Sequence, residues 1–421
     1  MSETTAKEIG MELAAKAAKA RPVLAAASTE AKNWALAALS GLLTKHQDRI
    51  LEANAKDLEA GQAAALSTAL MDRLRLNENR IRGMADGVGQ LIDLPDPVGA
   101  IDSLARRPSG IQVGRMRIPL GEICIIYESR PNVTIDAGAL CLKSGNVPIL
   151  KGGKEAFHSN QVLVDLMREA LGEAGLPPDG IQAVATSDRE VLNTLIRLEG
   201  QVDLVIPRGG EGLIRHVSTH ATVPVIQHYK GVCHVYIDTD ADLEMAVDIA
   251  FNAKVQRPGV CNAMETLLIA RPVARQVIPM LFPRLQEAGV QIRGDDSVTA
   301  IWADAERADE QDWDAEFLDL ILSVAVVDDI DCAIAHIGRH GSGHTEAIVT
   351  NNYAASQRFL RQIDASCVLV NASTRFNDGF ELGLGAEIGI STTKMHAYGP
   401  MGLEELTARK FVVLGGGQIR T

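Results

Sequence analysis

From Glu122 to Val370 the sequence alternates between two kinds of segment, and this limits the fold more than any other feature. Strand-like apolar runs occur at Ile123–Tyr127, Val147–Leu150, Ile181–Ala185, Val202–Ile206 and His234–Ile237. Helical stretches lie between them at Val133–Ser144, Glu155–Ala174, Arg189–Leu198 and Gly212–Thr219. The pattern resumes with strands at Thr266–Ala270, Leu320–Val327, Ala347–Thr350 and Cys367–Val370, and helices near Val273–Glu287, Asp331–His340 and Ala354–Gln362. Strands separated by helices of about ten residues or more pair in parallel, with helices covering both faces of the sheet. Two consecutive α/β units are therefore expected, with a cleft where they meet.

Ahead of them, residues up to about 105 read as helical, with Trp34, Ala38 and Leu42 on one face at i, i+4 and i+8. Arg107 to Gly121 breaks into short extended pieces bounded by Gly and Pro, as a protruding hairpin would. At 421 residues, two domains are the natural division. The formal charge of -13 argues against sequence-independent nucleic-acid binding, so an anionic substrate requires a local cluster of positive groups. The N-terminus has no signal-peptide profile, and no apolar run reaches the roughly 18 residues of a membrane span. Six cysteines without a CxxC spacing point to a reducing cytoplasm rather than a disulfide framework or zinc ribbon.

One of those cysteines is set apart. Cys261 follows a Pro258-Gly259 turn and opens a segment read as the start of a short helix, whose dipole would favour the thiolate. Cys124, Cys141, Cys233, Cys332 and Cys367 sit in or beside apolar runs and are expected to pack as small inert hydrophobes. Taken alone, a cysteine of this kind is more often structural than catalytic.

Two strand-to-helix turns are rich in glycine: Lys151-Gly152-Gly153-Lys154 and Arg208-Gly209-Gly210-Glu211-Gly212. Such turns let backbone and ammonium groups approach a phosphate, although either alone reads equally well as an ordinary loop. With no GxGxxG or GxxxxGK[ST] present, the pair suggests a dinucleotide bound in an unusual way. His336, His340 and His344 recur at intervals of four, but glycines interrupt the run and no HExxH arrangement occurs, so a structural turn and no metal are expected.

In chain order these pieces resemble the aldehyde dehydrogenase superfamily over nearly the whole length. Ser144-Gly145-Asn146-Val147-Pro148-Ile149-Leu150-Lys151, Gly209-Gly210, Tyr229-Lys230-Gly231-Val232 and Cys261 each resemble a family segment. Tyr127-Glu128-Ser129-Arg130-Pro131-Asn132-Val133-Thr134, the run from Val327 to Ile348, Gly385 to Thr392, and Gly399 to Leu403 are similar to one branch, which reduces L-glutamyl 5-phosphate in proline biosynthesis. Where aldehyde-oxidising relatives carry a glutamate that activates water, this chain reads Val225-Ile226-Gln227-His228-Tyr229-Lys230, with no carboxylate. An enzyme that reduces a thioester gains nothing from a base that hydrolyses it.

The resemblance implies an aldehyde-dehydrogenase-like α/β fold of two Rossmann-like parallel-sheet domains plus an oligomerisation hairpin. The expected division is a cofactor-binding domain over 1–237 with the hairpin near 108–121, a catalytic cysteine domain over 238–385, and a C-terminal segment over 386–421 returning to the first domain. The implied activity is NADPH-dependent reduction of L-glutamyl 5-phosphate to L-glutamate 5-semialdehyde and phosphate through a thioacyl enzyme. By resemblance, Cys261 is the nucleophile and Asn132 an oxyanion donor; Lys151, Lys154, Gly209, Gly210 and Glu316 bind NADPH. Lys154 replaces the glutamate of NAD-preferring relatives, hence the preference for a 2′-phosphate. Arg130, Ser373, Thr374 and Arg375 are candidates for holding the substrate. A homodimer or higher homo-oligomer is expected through residues 111–119 and 411–419, with functional coupling to glutamate 5-kinase. Two other readings, a binding protein that lost catalysis and a thiol acyltransferase, are disfavoured by Cys261 and by the two glycine turns respectively.

Overall fold

The structure, a computed structural model, describes residues 3–420; Met1, Ser2 and Thr421, at the ends of the expected domain ranges, lie outside it. The chain divides into two compact units, Met1–Gln227 with Leu384–Gly389 and Met401–Thr421, and His228–Gly383 with Ile390–Pro400.

The first unit opens with helices α1 (Glu3–Ala25), α2 (Thr29–Lys45), α3 (Gln47–Ala63), α4 (Thr68–Leu74) and α5 (Glu78–Asp93). Ser28, Ser67 and Asn77 cap α2, α4 and α5 by accepting a backbone N–H three residues on. The buried face of α2 is Ala35, Leu36, Leu39, Leu42 and Leu43, whereas Trp34 is 63% exposed. Of the expected stripe, Leu42 is buried and Trp34 faces water. Next come β1 (Ile101–Arg106), β2 (Gln112–Pro119), β3 (Glu122–Tyr127), α6 (Asn132–Lys143), β4 (Val147–Lys151), α7 (Phe157–Glu173), β5 (Gln182–Ala183), α8 (Arg189–Leu195), β6 (Leu204–Arg208) and α9 (Glu211–His220). β3, β4, β5 and β6 form a parallel sheet in the order β5-β4-β3-β6. The edge strand β5 keeps only two residues of the expected run, and β6 starts two residues later than expected. The Asp203 carboxylate accepts the Glu122 N–H at 2.9 Å, which leaves Leu204 as the first residue paired to β3.

The second unit continues with β7 (Cys233–Ile237), α10 (Leu243–Val255), β8 (Met264–Ala270), α11 (Arg271–Glu287), β9 (Gln291–Gly294), α12 (Asp296–Ile301), β10 (Glu306–Arg307), β11 (Ile321–Val327), α13 (Ile330–His340), β12 (Thr345–Val349), α14 (Tyr353–Gln362) and β13 (Cys367–Val370). Its seven parallel strands run β10-β9-β11-β8-β7-β12-β13. β7 sits inside this sheet, with Val235 opposite Leu267 and Ala347, so the first domain ends at Gln227 rather than 237. Val235, Tyr236 and Ile237 are fully buried and match only a strand covered on both faces. The tail also departs from expectation. It returns to the first unit in two pieces, because Ile390–Pro400, between β14 (Gly389–Ser391) and β15 (Gly399–Met401), belongs to the second.

The last strand, β16 (Thr407–Leu414), pairs antiparallel with β2, which pairs with β1. Val412, Val413 and Leu414, within the expected oligomer segment 411–419, lie opposite Gly114, Val113 and Gln112 of the same chain. Among the described residues no helix is long and apolar enough to cross a membrane.

Candidate active site

Cys261 stands in the loop between α10 and β8, half-buried. Residues 256–263 form turns, with the Ala263 N–H donating to the Val260 carbonyl at 3.1 Å, and the chain enters β8 at Met264. No helix starts at Cys261, which corrects the expectation of a dipole-supported thiolate. Met264 to Ala270 are wholly buried and paired to β7 and β11, so a central strand claims the residues that a helix would have used.

Imidazoles surround the thiol instead. Cys261, His228 and His344 each offer one donor atom, and all three atoms lie within 4.8 Å of one another. The two rings meet edge to face, with centroids 5.6 Å apart. His228 Nδ1 is 2.9 Å from the Ile390 carbonyl; a carbonyl only accepts, so Nδ1 carries a proton, and in the neutral ring Nε2 holds the lone pair. His344 is buried, with Nδ1 2.7 Å from Thr345 Oγ1 and 3.6 Å from Cys233 Sγ. A proton leaving Cys261 thus has bases within short reach.

The segment that resembles the family's Gly-Gly-Lys backs this loop. A Cβ at Gly231 would lie 2.0 Å from the Cys261 carbonyl oxygen, so only glycine permits the approach. The Gly231 N–H donates to Glu316 Oε1 at 2.9 Å, which ties the expected ribose-binding glutamate to the back of the nucleophile loop. Lys254, near the end of α10, meets Glu265 of β8 at 2.5 Å, and both are fully buried. The other Glu265 oxygen accepts the Leu318 N–H at 3.1 Å, so this pair pins both feet of the loop and the Glu316 turn. Burial pushes the Glu265 carboxyl up to about 7 and the Lys254 ammonium down.

In the first unit, the parallel order brings three candidate segments to neighbouring carboxyl ends. β3 lies between β4 and β6, with Ile126 opposite Lys151 and Tyr127 opposite Arg208. Glu128–Asn132, Lys151–Lys154 and Gly209–Gly210 therefore adjoin, where open α/β sheets bind ligands. Lys151 is buried, its Nζ donating to the Gly152 carbonyl at 3.0 Å, and burial lowers its ammonium pKa. Lys154 is exposed at the head of a 3₁₀ turn, Lys154–Ala156. A Cβ at Gly152 would fall 2.1 Å from Asn160 Nδ2, so the absence of a side chain lets the backbone of this turn pack against Asn160. The Gly210 N–H at the start of α9 is bonded to Glu128 Oε2 at 2.9 Å. This donor already holds an anion, and a dinucleotide phosphate would use it by displacing that carboxylate. The residues fit a dinucleotide on these grounds. Asn132 begins α6; its Nδ2 donates to Asp136 Oδ2 at 2.9 Å and has a second N–H to offer. Burial pushes the Asp136 carboxyl up to about 6. Arg130 is exposed beside it.

Residues 1–314 match the family model described as the aldehyde dehydrogenase family. The chain belongs to the aldehyde dehydrogenase family. It is 54% identical over 415 residues to the γ-glutamyl phosphate reductase of Moorella thermoacetica, covering 98% of this chain and 99% of that protein. The Geobacter metallireducens protein of the same name is 53% identical, with 97% and 98% covered. The crystal structure of γ-glutamyl phosphate reductase from Thermotoga maritima superposes with a TM-score of 0.96 at 45% identity, covering 98% of this chain and all of that one. The protein is thus an oxidoreductase of this branch, and its family uses nicotinamide cofactors.

The loop after β13, which carries the candidates Ser373, Thr374 and Arg375, contacts β7 and β12 and forms a turn, Thr374–Phe376. Ser373 is buried and caps this turn by accepting the Arg375 N–H at 3.3 Å, and Thr374 is buried beside it. Asn262 Nδ2 donates to the Asn377 carbonyl at 2.9 Å, and Asn377 Nδ2 to Thr345 Oγ1 at 2.7 Å, locking this loop to the residues after Cys261 and His344. Arg375 Nε donates to Gln256 Oε1 at 2.8 Å, and burial, then the charge of Arg257, lowers its pKa. In the second unit the structure thus gathers Cys261, Glu316, Ser373, Thr374 and Arg375; in the first it gathers Arg130, Asn132, Lys151, Lys154, Gly209 and Gly210.

Sequence reasoning missed His228 and Gly231 as parts of the site. The available signal was their placement, Gly231 within Tyr229-Lys230-Gly231-Val232 and His228 just before it. The histidine run divides. His344 faces the thiol, whereas His336 packs among Trp313, His234 and His340, and burial lowers its pKa to about 3. One cysteine expectation is corrected. Cys332 is exposed on α13, where the apolar stripe faces inward at Ala333 and Ile337. Cys233 is buried as expected, and burial pushes its thiol pKa up; its Sγ lies 3.2 Å from the Cys261 carbonyl.

Proposed function

We propose that the protein reduces L-glutamyl 5-phosphate to L-glutamate 5-semialdehyde and inorganic phosphate, with NADPH as reductant and Cys261 as nucleophile. The carrying observation is the half-buried Cys261 thiol within 4.8 Å of a nitrogen of both His228 and His344, with no carboxylate in the stretch 225–230 where hydrolysing relatives carry a glutamate. His228 or His344 takes the thiol proton, the sulfur attacks the acyl carbon, and phosphate leaves, taking a proton from solvent, to give a thioacyl enzyme. The Cys261 backbone N–H and, by family resemblance, the second Asn132 N–H stabilise the oxyanion; one such donor is typically worth about 3 kcal/mol. A reduced nicotinamide, when bound, supplies the hydride that converts the thioester to a thiohemiacetal. As this collapses to the aldehyde, the imidazole proton returns to sulfur.

Lys151 and Lys154, with the Gly152–Gly153 and Gly209–Gly210 turns, would hold the phosphate and ribose end of NADPH, and Glu316 the nicotinamide ribose. Lys154, exposed and free to turn, is the candidate 2′-phosphate partner. The α-carboxylate and phosphate of the substrate meet Arg375 and Arg257, with Arg130 as a further cation and Ser373 and Thr374 lining the loop. The active form is a cytoplasmic homodimer built on the three-stranded sheet, and its acyl phosphate comes from glutamate 5-kinase.

The test is the reverse reaction: NADP⁺ reduction with glutamate semialdehyde, with and without inorganic phosphate. Turnover that requires phosphate and disappears in Cys261→Ala is expected. Turnover independent of phosphate would mean an aldehyde-oxidising hydrolase instead.

A further inference from the structure

We propose that Cys261, His228 and His344 form a binding site for a borderline-soft divalent cation of the Zn²⁺ type, and that its occupation reversibly caps the thiol. The donor set is one sulfur and two imidazole nitrogens within 4.8 Å of one another, with no carboxylate in the group. Thiolate and imidazole together select zinc-like ions, whereas Mg²⁺ and Ca²⁺ require oxygen ligands. Bonds of about 2.0–2.3 Å place tetrahedral zinc donors roughly 3.3–3.7 Å apart, so these three close the shell by small side-chain rotations.

The surroundings already orient the ligands. The Ile390 carbonyl holds a proton on His228 Nδ1, leaving Nε2 of the neutral ring with its lone pair, and such an outer carbonyl partner is what zinc-bound imidazoles commonly have. His344 Nδ1 is 2.7 Å from Thr345 Oγ1 and 3.6 Å from Cys233 Sγ, contacts that fix the ring. Cys261 and His228 are half-buried, so an ion has a way in, and three protein ligands leave a fourth position for water or a competing anion. Three ligands, rather than four, keep the site weaker than a closed structural zinc site. Binding displaces the thiol proton and occupies the sulfur lone pair used for attack. The inhibitory half of the proposal rests on Cys261 being the nucleophile; the binding half does not.

Co²⁺ titration of the chelator-treated full chain tests both halves. One equivalent per subunit should give a sulfur-to-cobalt charge-transfer band together with intense tetrahedral visible bands, and Zn²⁺ should abolish them. Cys261→Ala should lose the charge-transfer band, and His228→Gln should weaken binding about tenfold or more. His228→Gln tests the half-buried ligand, and circular dichroism of each variant checks that it is folded. Zn²⁺ should also inhibit turnover, reversed by chelator, with about tenfold more needed for His228→Gln. A weak octahedral spectrum without the sulfur band, or unchanged affinity in folded His228→Gln, overturns the site. Sulfur-bound cobalt in an enzyme whose Cys261→Ala variant still turns over would keep the site and overturn the nucleophile.

Discussion

At Gly231 a single methyl group is enough to disturb the chemistry, since its Cβ would overlap the Cys261 carbonyl oxygen. Gly231→Ala should lower kcat about 100-fold or more, measured by steady-state kinetics, because displacing a nucleophile by about an ångström costs that much. An unchanged kcat would show that the loop absorbs the shift harmlessly. His336 gives a pH signature of another kind. Its pKa falls to about 3 through burial, then through His234, His340 and Arg339, with Asp314 opposing. The unfolded chain therefore binds more protons between about 6.5 and 3, so stability is full above 6.5 and declines as pH falls. Its share of the slope is at most about 1.4 kcal/mol per pH unit, and His336→Phe should flatten urea-unfolding stability across that window. Cys261 was legible as a residue because a cysteine after Pro-Gly in a polar loop stands out among cysteines in apolar runs. His228 and His344 were not, because only the adjacency of β7, β8 and β12 brings them to one end of a sheet.

At the scale of elements, the buried Lys254–Glu265 pair joins the end of α10 to β8 on either side of the nucleophile. Lys254→Met alone should destabilise by about 3–5 kcal/mol by leaving Glu265 buried without its partner, while Lys254→Met with Glu265→Leu should recover most of that. Denaturant unfolding of the four-member cycle measures it; a double-variant loss equal to the sum of the two single losses would show that the pair is not coupled. In the first unit, Lys154→Glu should weaken NADPH far more than NADH, by about tenfold or more in the ratio of kcat/KM. An unchanged ratio would move the 2′-phosphate contact to Lys151 or Arg208. The alternation of strands and helices was readable because buried parallel strands are continuous apolar runs. The helix at Cys261 was misread because Met264–Ala270 is just such a run, and central-strand pairing outweighs a local turn signal.

For the molecule as a whole, two α/β units were readable from periodicity, but their boundary was not. β7 has the same composition whether it ends one sheet or sits inside the other, and only pairing with β8 and β12 assigns it. The three-stranded sheet β1-β2-β16 likewise uses a tail read as an oligomer segment. Its outer strand still exposes Phe411 at 68%, Val413 at 56% and Leu414 at 50%, an apolar edge that a second copy would cover. Light scattering at micromolar concentration should give a dimer or larger, and Phe411→Asp with Val413→Asp a monomer; a monomeric wild type refutes the interface. The most direct test of the thioacyl pathway is a single-turnover experiment with glutamate semialdehyde and NADP⁺ in the absence of phosphate. One equivalent of NADPH per subunit should form in a burst and then stop, with a glutamyl adduct on the Cys261 peptide by mass spectrometry and turnover resuming when phosphate is added. Steady NADPH production without phosphate, or a burst with no adduct on Cys261, would contradict it.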